Sequence, residues 1–168
     1  MEFWDLYDRN RIPLGRTHIR GEKLGDGEFH IVVNILSVNS EGKILVTKRH
    51  PDKPNGDRWE ISGGSAVAGE SSEKAAEREL FEETGLRADG KLLYYGTIIR
   101  KPSGCIHDFY LYRGEFSEKD ITLQAEETTD FRLVSADEVY EMAKSGEFLG
   151  FLYNRIKGVF SDIFGEDV

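Results

Sequence analysis

Residues 64–86 read GSAVAGESSEKAAERELFEETGL, a glycine-led turn running into a strong helix former that closes on Thr84, Gly85 and Leu86. No Pro or Gly falls between Ser71 and Thr84, and Ala, Glu, Lys, Arg and Leu dominate, so the summed propensity predicts a helix. Ser71 or Ser72 is placed to cap its start, and Gly85 stands where helices usually stop. At about 100° of rotation per residue, Glu79, Glu82 and Glu83 leave the helix within one arc roughly 100° wide, with Ser72 and Ala75 small beneath them. Three carboxylates at i, i+3 and i+4 repel unless a cation sits among them. A hard divalent cation such as Mg2+ takes oxygen ligands of this kind and keeps waters and substrate phosphates as its others. The bland alternative for a Glu-rich helix is a solvated acidic face.

The spacing decides between the two. Gly64, five residues, Glu70, seven residues, Arg78, Glu79, apolar Leu80, one residue, Glu82, Glu83, one residue, Gly85 and apolar Leu86 match the signature of the Nudix family residue by residue. Seven fixed identities, each at a usage of roughly one in fifteen, give a chance match of about one in 10^8 at a given start. The chain is therefore identified as resembling that family, over about residues 28–145, with the box at 64–86 as the specific part. The resemblance implies an α/β fold, the Nudix-type α/β/α sandwich around a mixed β-sheet. The order of strand and helix signals along the chain agrees with it.

What the resemblance implies chemically is hydrolysis of a diphosphate linkage in a nucleoside diphosphate joined to another moiety, with Mg2+ or Mn2+ held by box glutamates. Carried over by position, Glu79 and Glu83 are the principal metal ligands, and Glu82 is a ligand or the group that takes the water's proton. The carbonyl of Gly63 or Gly64 is a further candidate ligand, since a residue without Cβ lets backbone approach closely. Arg78 belongs to the catalytic set as an orienter that pairs with glutamates such as Glu70. Family members often add a carboxylate from outside the box; in QAEETTDFRLV it is Glu127 by spacing, with Glu126 and Asp130 as alternatives.

Residues 30–59 also resemble the branch of the family that contains isopentenyl diphosphate isomerase, through His30, Arg49, Lys53 and Trp59. In that branch the arginine and lysine contact the diphosphate, so Arg49 and Lys53 are substrate-binding candidates. Trp59 is either core or a pocket wall that stacks on a base or ribose. Isomerase activity fits less well. The isomerase's cysteine and histidine positions hold Gly64 and Ser65 here, Lys23 stands where another histidine would be, and Cys105 lies far along the chain. His30 then reads as a strand residue and not a ligand. A ligand-binding module that lost catalysis is the other alternative, and intact Glu79, Glu82 and Glu83 speak against it.

The rest of the chain bounds the setting. A length of 168 residues suits a single domain, divided as an N-terminal strand and turn at 1–27, the box, and a C-terminal helix at 147–168. Residues 1–15 read as a short strand and a Pro-Leu-Gly turn anchored by Phe3, Trp4, Leu6 and Tyr7. A basic cluster follows at Arg9, Arg11, Arg16, His18, Arg20 and Lys23, either a solvated face or a cationic wall for an anionic substrate. A net charge of −9 argues against nucleic-acid or membrane partners and leaves a small nucleotide or diphosphate as the expected one. One cysteine, with no basic-apolar leader or apolar span visible, leads to the expectation of a cytoplasmic location. The apolar C-terminal helix reads as closing on the core or lying at a dimer interface, and with the aromatic N-terminus it is a candidate surface for a homodimer.

Overall fold

The computed structural model describes residues 1–165. Its centre is β3 (His30–Asn39), which runs antiparallel to β4 (Ile44–Arg49) and β6 (Ser62–Ser65) and parallel to β8 (Cys105–Gly114). The remaining strands of this mixed sheet are β5 (Trp59–Glu60) and β9 (Thr128–Val134), both on β4, and β7 (Leu92–Arg100) on β8. Helix α1 (Ser72–Thr84) covers one face, and α2 (Ala136–Ser145) and α3 (Gly150–Phe164) pack with the residues of the other.

Alternation along the strands sorts the two cores. Ile31, Val33 and Ile35 of β3 meet Ala75, Ala76 and Leu80 of α1, whereas Leu36 and Val38 meet Val139, Leu152 and Ile156 of α2 and α3. Alanine at 75 and 76 lets α1 lie close to the sheet. The helix begins and ends where its caps require: Ser71 accepts from the Lys74 N–H, and Gly85, at φ 77°, donates to the Phe81 carbonyl. Ser135 and Gly146 bound α2 in the same way.

Two sequence expectations are corrected here. The Pro-Leu-Gly signal does not make the N-terminal turn. Pro13 to Gly15 lie inside β2 (Pro13–Ile19), which pairs with β1 (Phe3–Tyr7), and the reversal falls at residues 8–12. The Asp8 carboxylate accepts from the N–H groups of Asn10 and Ile12, a local bond that outcompetes the proline signal, with Arg11 at φ 62°. The C-terminal helix spans Gly150–Phe164, and residues 166–168 of the expected stretch lie outside the described residues. Its residues Leu152, Ile156 and Phe160 are buried in the chain's own core, as expected of a helix that closes on the core.

The β1–β2 hairpin is held against the sheet by one buried carboxylate. Asp108 on β8 is fully buried and accepts from Arg11 Nη1 at 2.7 Å, Arg11 Nη2 at 2.5 Å, Ser72 Oγ at 2.5 Å and Thr97 Oγ1 at 2.5 Å. Burial works against its charge, but these bonds hold the carboxyl below its ordinary range. The Phe3 carbonyl and the Asp5 carboxylate, accepting from the N–H groups of Ala68 and Gly69, add a second attachment to the box.

Asp108→Asn is expected to lower the unfolding free energy by about 2 kcal/mol at neutral pH, below the usual cost of breaking a buried pair because Arg11 is partly exposed. A depressed folded pKa contributes stability above the unfolded value of about 3.9 and loses it as pH falls through the folded value. Urea unfolding of parent and variant should therefore converge in acid; equal stability at neutral pH would contradict this role.

Candidate active site

The box turns its acidic face onto the Gly63–Gly64 segment of β6. Glu83, on the inner side of α1, is buried, and its Oε2 accepts from the Gly63 N–H at 3.2 Å. Glu79 lies one turn earlier, and its carboxylate occupies the place a Cβ on Gly64 would take. Gly63 is sterically required, because a Cβ there would run into the Val33 carbonyl of the central strand, whereas one on Gly64 would displace the Glu79 carboxylate. The sequence thus brings two carboxylates to one pair of glycines inside β6, where the structure has a strand and not the expected turn at Gly64.

Glu60 comes to the same place from β5, and motif reading missed it. On a strand of only two residues, alternation sends Trp59 into the α2–α3 core and Glu60 to the opposite face. Glu60 is buried and accepts from Arg49 Nη1 at 2.8 Å on both oxygens. Burial pushes Glu83 up to about 8, and the nearby Glu60 and Glu79 charges push the same way. Burial also raises Glu60, against Arg49, and raises Glu79, against Arg78. An excess of buried carboxylate over cation is the donor chemistry that suits a hard divalent ion.

Arg78 organises the outer half of this face. Its guanidinium donates to Glu70 at 2.9 and 2.8 Å, to Glu79 at 2.8 Å, to Glu82 at 3.1 Å and to the Ser65 carbonyl at 3.1 Å. The bonds it donates to Glu70 come first among the influences that raise its pKa. Glu79 and Glu82 are thus turned toward Arg78, and among the described residues no three His, Cys, Asp or Glu side chains already converge as a metal cluster. The donor set nevertheless fits Mg2+ or Mn2+. Glu79 and Glu83 flank the same glycine pair, and Glu83 has no basic partner within ion-pair distance among the described residues.

Beside the glycine pair opens a cleft of about 380 Å³. Arg49 and Lys53 line it next to Glu60, Gly63 and Gly64. Lys53 forms an ion pair with Glu127, which brings that carboxylate to the cleft edge. Burial and the neighbouring Arg49 lower the lysine's pKa. Arg49 also closes the 50–57 loop by donating to the Pro54 carbonyl at 2.9 Å. Trp59, expected as core or pocket wall, does not line the cleft. It is buried in the core with Arg132 over its ring at 4.5 Å, the position its strand alternation dictates. Trp4, Arg20, Arg100, His107 and Phe151 do line it, and no motif in the sequence marked them as a group.

With this geometry in view, the comparisons with known proteins are direct. The family model described as NUDIX domain matches residues 28–150. A protein of Listeria monocytogenes named as an uncharacterized Nudix hydrolase is 39% identical over 162 residues, covering 91% of each chain. The crystal structure of DR0079 from Deinococcus radiodurans superposes with a TM-score of 0.76 at 19% identity, over 93% of this chain and 98% of that one, a likeness of fold. The RNA pyrophosphohydrolase of Novosphingobium aromaticivorans is 42% identical over 57 residues, 34% of this chain and 35% of its own. The chain belongs to the Nudix family. It is an enzyme of the Nudix hydrolase class, a pyrophosphohydrolase that acts on acid anhydrides. Among the described residues no helix is long and apolar enough to cross a membrane.

The two glycines have separable roles. Gly64→Ala meets only the movable end of Glu79 and should keep the fold while cutting hydrolysis of a diphosphate substrate more than tenfold. Gly63→Ala meets central backbone and should destabilise by about 1–3 kcal/mol. Thermal unfolding and activity measured on both variants check the distinction; equal losses of stability would contradict it.

Proposed function

We propose that this hydrolase cleaves the diphosphate linkage of a nucleoside diphosphate joined to a second moiety, with Mg2+ or Mn2+ as cofactor. The observation that carries the reading is the meeting, at one glycine pair, of the Glu79 and Glu83 carboxylates with a cleft walled by Arg49 and Lys53. Anionic ligands for a cation lie directly beside cationic contacts for a phosphate chain.

Glu79, Glu83, Glu82 and the Gly63 carbonyl would hold the cation. When bound, it supplies positive charge against the phosphate oxygens and makes a water molecule more acidic. Arg49 and Lys53 orient the diphosphate. Arg49 is suited to this by its fixed fork, because Glu60 and the Pro54 carbonyl hold the guanidinium in one place. Arg78 acts on the reaction by positioning Glu79 and Glu82. Glu127 takes the water's proton. It reaches the cleft from outside the box on Lys53, whereas Glu82 has the more exposed side chain and sits on Arg78. Isomerisation is the weaker reading: Cys105 lines the cleft, but burial shifts its thiol upward and it is bonded to the Ser103 carbonyl, 3.3 Å from His30 Nε2.

Phosphorus NMR of ADP-ribose, dinucleoside polyphosphates, nucleoside triphosphates and nucleotide sugars, each with protein and Mg2+, tests the proposal. Cleavage of a phosphoanhydride in at least one of them, abolished by chelator, is expected; an unreactive panel would defeat it. Glu83→Gln should lower turnover on the substrate found by about 10²-fold or more and leave the fold intact, because burial already disfavours the charge there. Equal rates in parent and variant would remove Glu83 from the ligand set.

A further inference from the structure

Four cations line the cleft, and they are not equivalent. Arg49 is committed to Glu60 and Lys53 to Glu127. Arg100, the last residue of β7, also lines the cleft, and among the described residues it makes no ion pair and no side-chain hydrogen bond. Its exposed guanidinium rests over the Phe151 ring, 4.3 Å from the centroid. Stacking of this kind fixes the plane of the group and leaves its N–H edge free to donate.

Arg20 approaches the same floor from the N-terminal hairpin through a continuous set of contacts. Arg100 pairs across strands with Cys105, and the Cys105 sulfur lies 3.3 Å from His30. The His30 ring stacks on Trp4 with centroids 3.8 Å apart and planes 7° from parallel. Trp4 Nε1 donates to Glu2 at 2.9 Å, and Glu2 accepts from Arg20 at 3.0 Å. The histidines on this floor add no charge near neutral pH. Burial takes both His30 and His107 down to about 4, and the neighbouring arginines add to the shift. Apart from Arg49 and Lys53, Arg20 and Arg100 therefore carry the positive charge of the cleft lining among the described residues.

We propose that Arg100 and Arg20 form a second anion subsite, which receives a phosphate of the substrate beyond the diphosphate that is cleaved. The inference rests on the function proposed above and narrows it: substrates with a longer phosphate chain are preferred to those, such as ADP-ribose, whose only anionic group is the diphosphate. Arg100 is the principal donor because no acceptor among the described residues competes for it; Arg20 shares its charge with Glu2. Both line the same cleft as Arg49 and Lys53, so an anion held there meets them as well as the two cations at the Gly63–Gly64 segment.

The test uses the full chain without metal and two inorganic probes, diphosphate and tripolyphosphate, titrated by calorimetry. The parent is expected to bind tripolyphosphate about tenfold more tightly, the scale of one charge-assisted contact. Arg100→Met should erase that preference and leave diphosphate affinity within about twofold. Phe151→Leu, which keeps the arginine and removes its stacking surface, should reduce the preference in part. Equal affinity of the parent for the two probes, or equal losses for both in Arg100→Met, would overturn the subsite. With Mg2+, the same variant should raise KM for diadenosine tetraphosphate about tenfold with kcat little changed, and leave ADP-ribose hydrolysis unaffected. The proposed function fails only if the whole substrate panel is unreactive, and the calorimetry decides the subsite in either case.

Discussion

Arg78 is the interaction on which the acidic face depends. Without it, Glu70, Glu79 and Glu82 would repel across little more than one turn of helix and the loop before it. With it, one planar cation ties the helix to the Ser65 carbonyl and to the loop carboxylate of Glu70. The group is half-buried, so its hydrogen bonds are worth more than those of an exposed pair, and its fork geometry meets Glu70 through two nitrogens. A lysine would carry the same charge but satisfy fewer of these acceptors. The arrangement also explains why Glu83 differs from its neighbours: it lies on the far side of the helix from Arg78, against the sheet, and is left with the Gly63 N–H as partner.

The site is built from segments whose geometry is set by the central strand. β3 pairs with β6 on one side and β8 on the other, so the glycine pair and the strand bearing His107 and Asp108 are held in fixed register about one axis. Alternation then divides the work of β8. His107 faces the cleft with Asn34, while Asp108 points to the opposite face, where it holds the hairpin and the start of α1. The hairpin lies before the segment matched by the family model, yet it contributes Trp4 to the cleft, and the residue just past it, Arg20, lines the same cleft. The chemistry of the box and the shape of the pocket thus come from different parts of the chain.

What was legible in the sequence was local. The ends of α1 and α2 follow from Ser71, Gly85, Ser135 and Gly146, and the Asn39–Gly42 turn follows from an asparagine whose side chain accepts from the Glu41 and Lys43 N–H groups. The box spacing identified the family and the fold. What escaped depends on contacts between residues distant in the chain. Arg11 meets Asp108 across 97 positions, and Glu60 becomes part of the acidic group only because a two-residue strand turns it away from Trp59. Trp59 and Arg100 carry no local signal that separates a core ring from a cleft wall or a solvated arginine from a stacked one. Alternation does so only once strand order and register are known.

The central claim is that the glutamates around Gly63 and Gly64 hold a divalent cation. Titration of the metal-free protein with Mn2+, followed by the loss of the free-ion electron paramagnetic resonance signal, tests it most directly. Saturable uptake that Mg2+ displaces, and that the paired change Glu79→Gln with Glu83→Gln removes, is the expected result. A parent protein that leaves the free Mn2+ signal unchanged, or a doubly substituted one that takes up the ion as the parent does, would contradict the account.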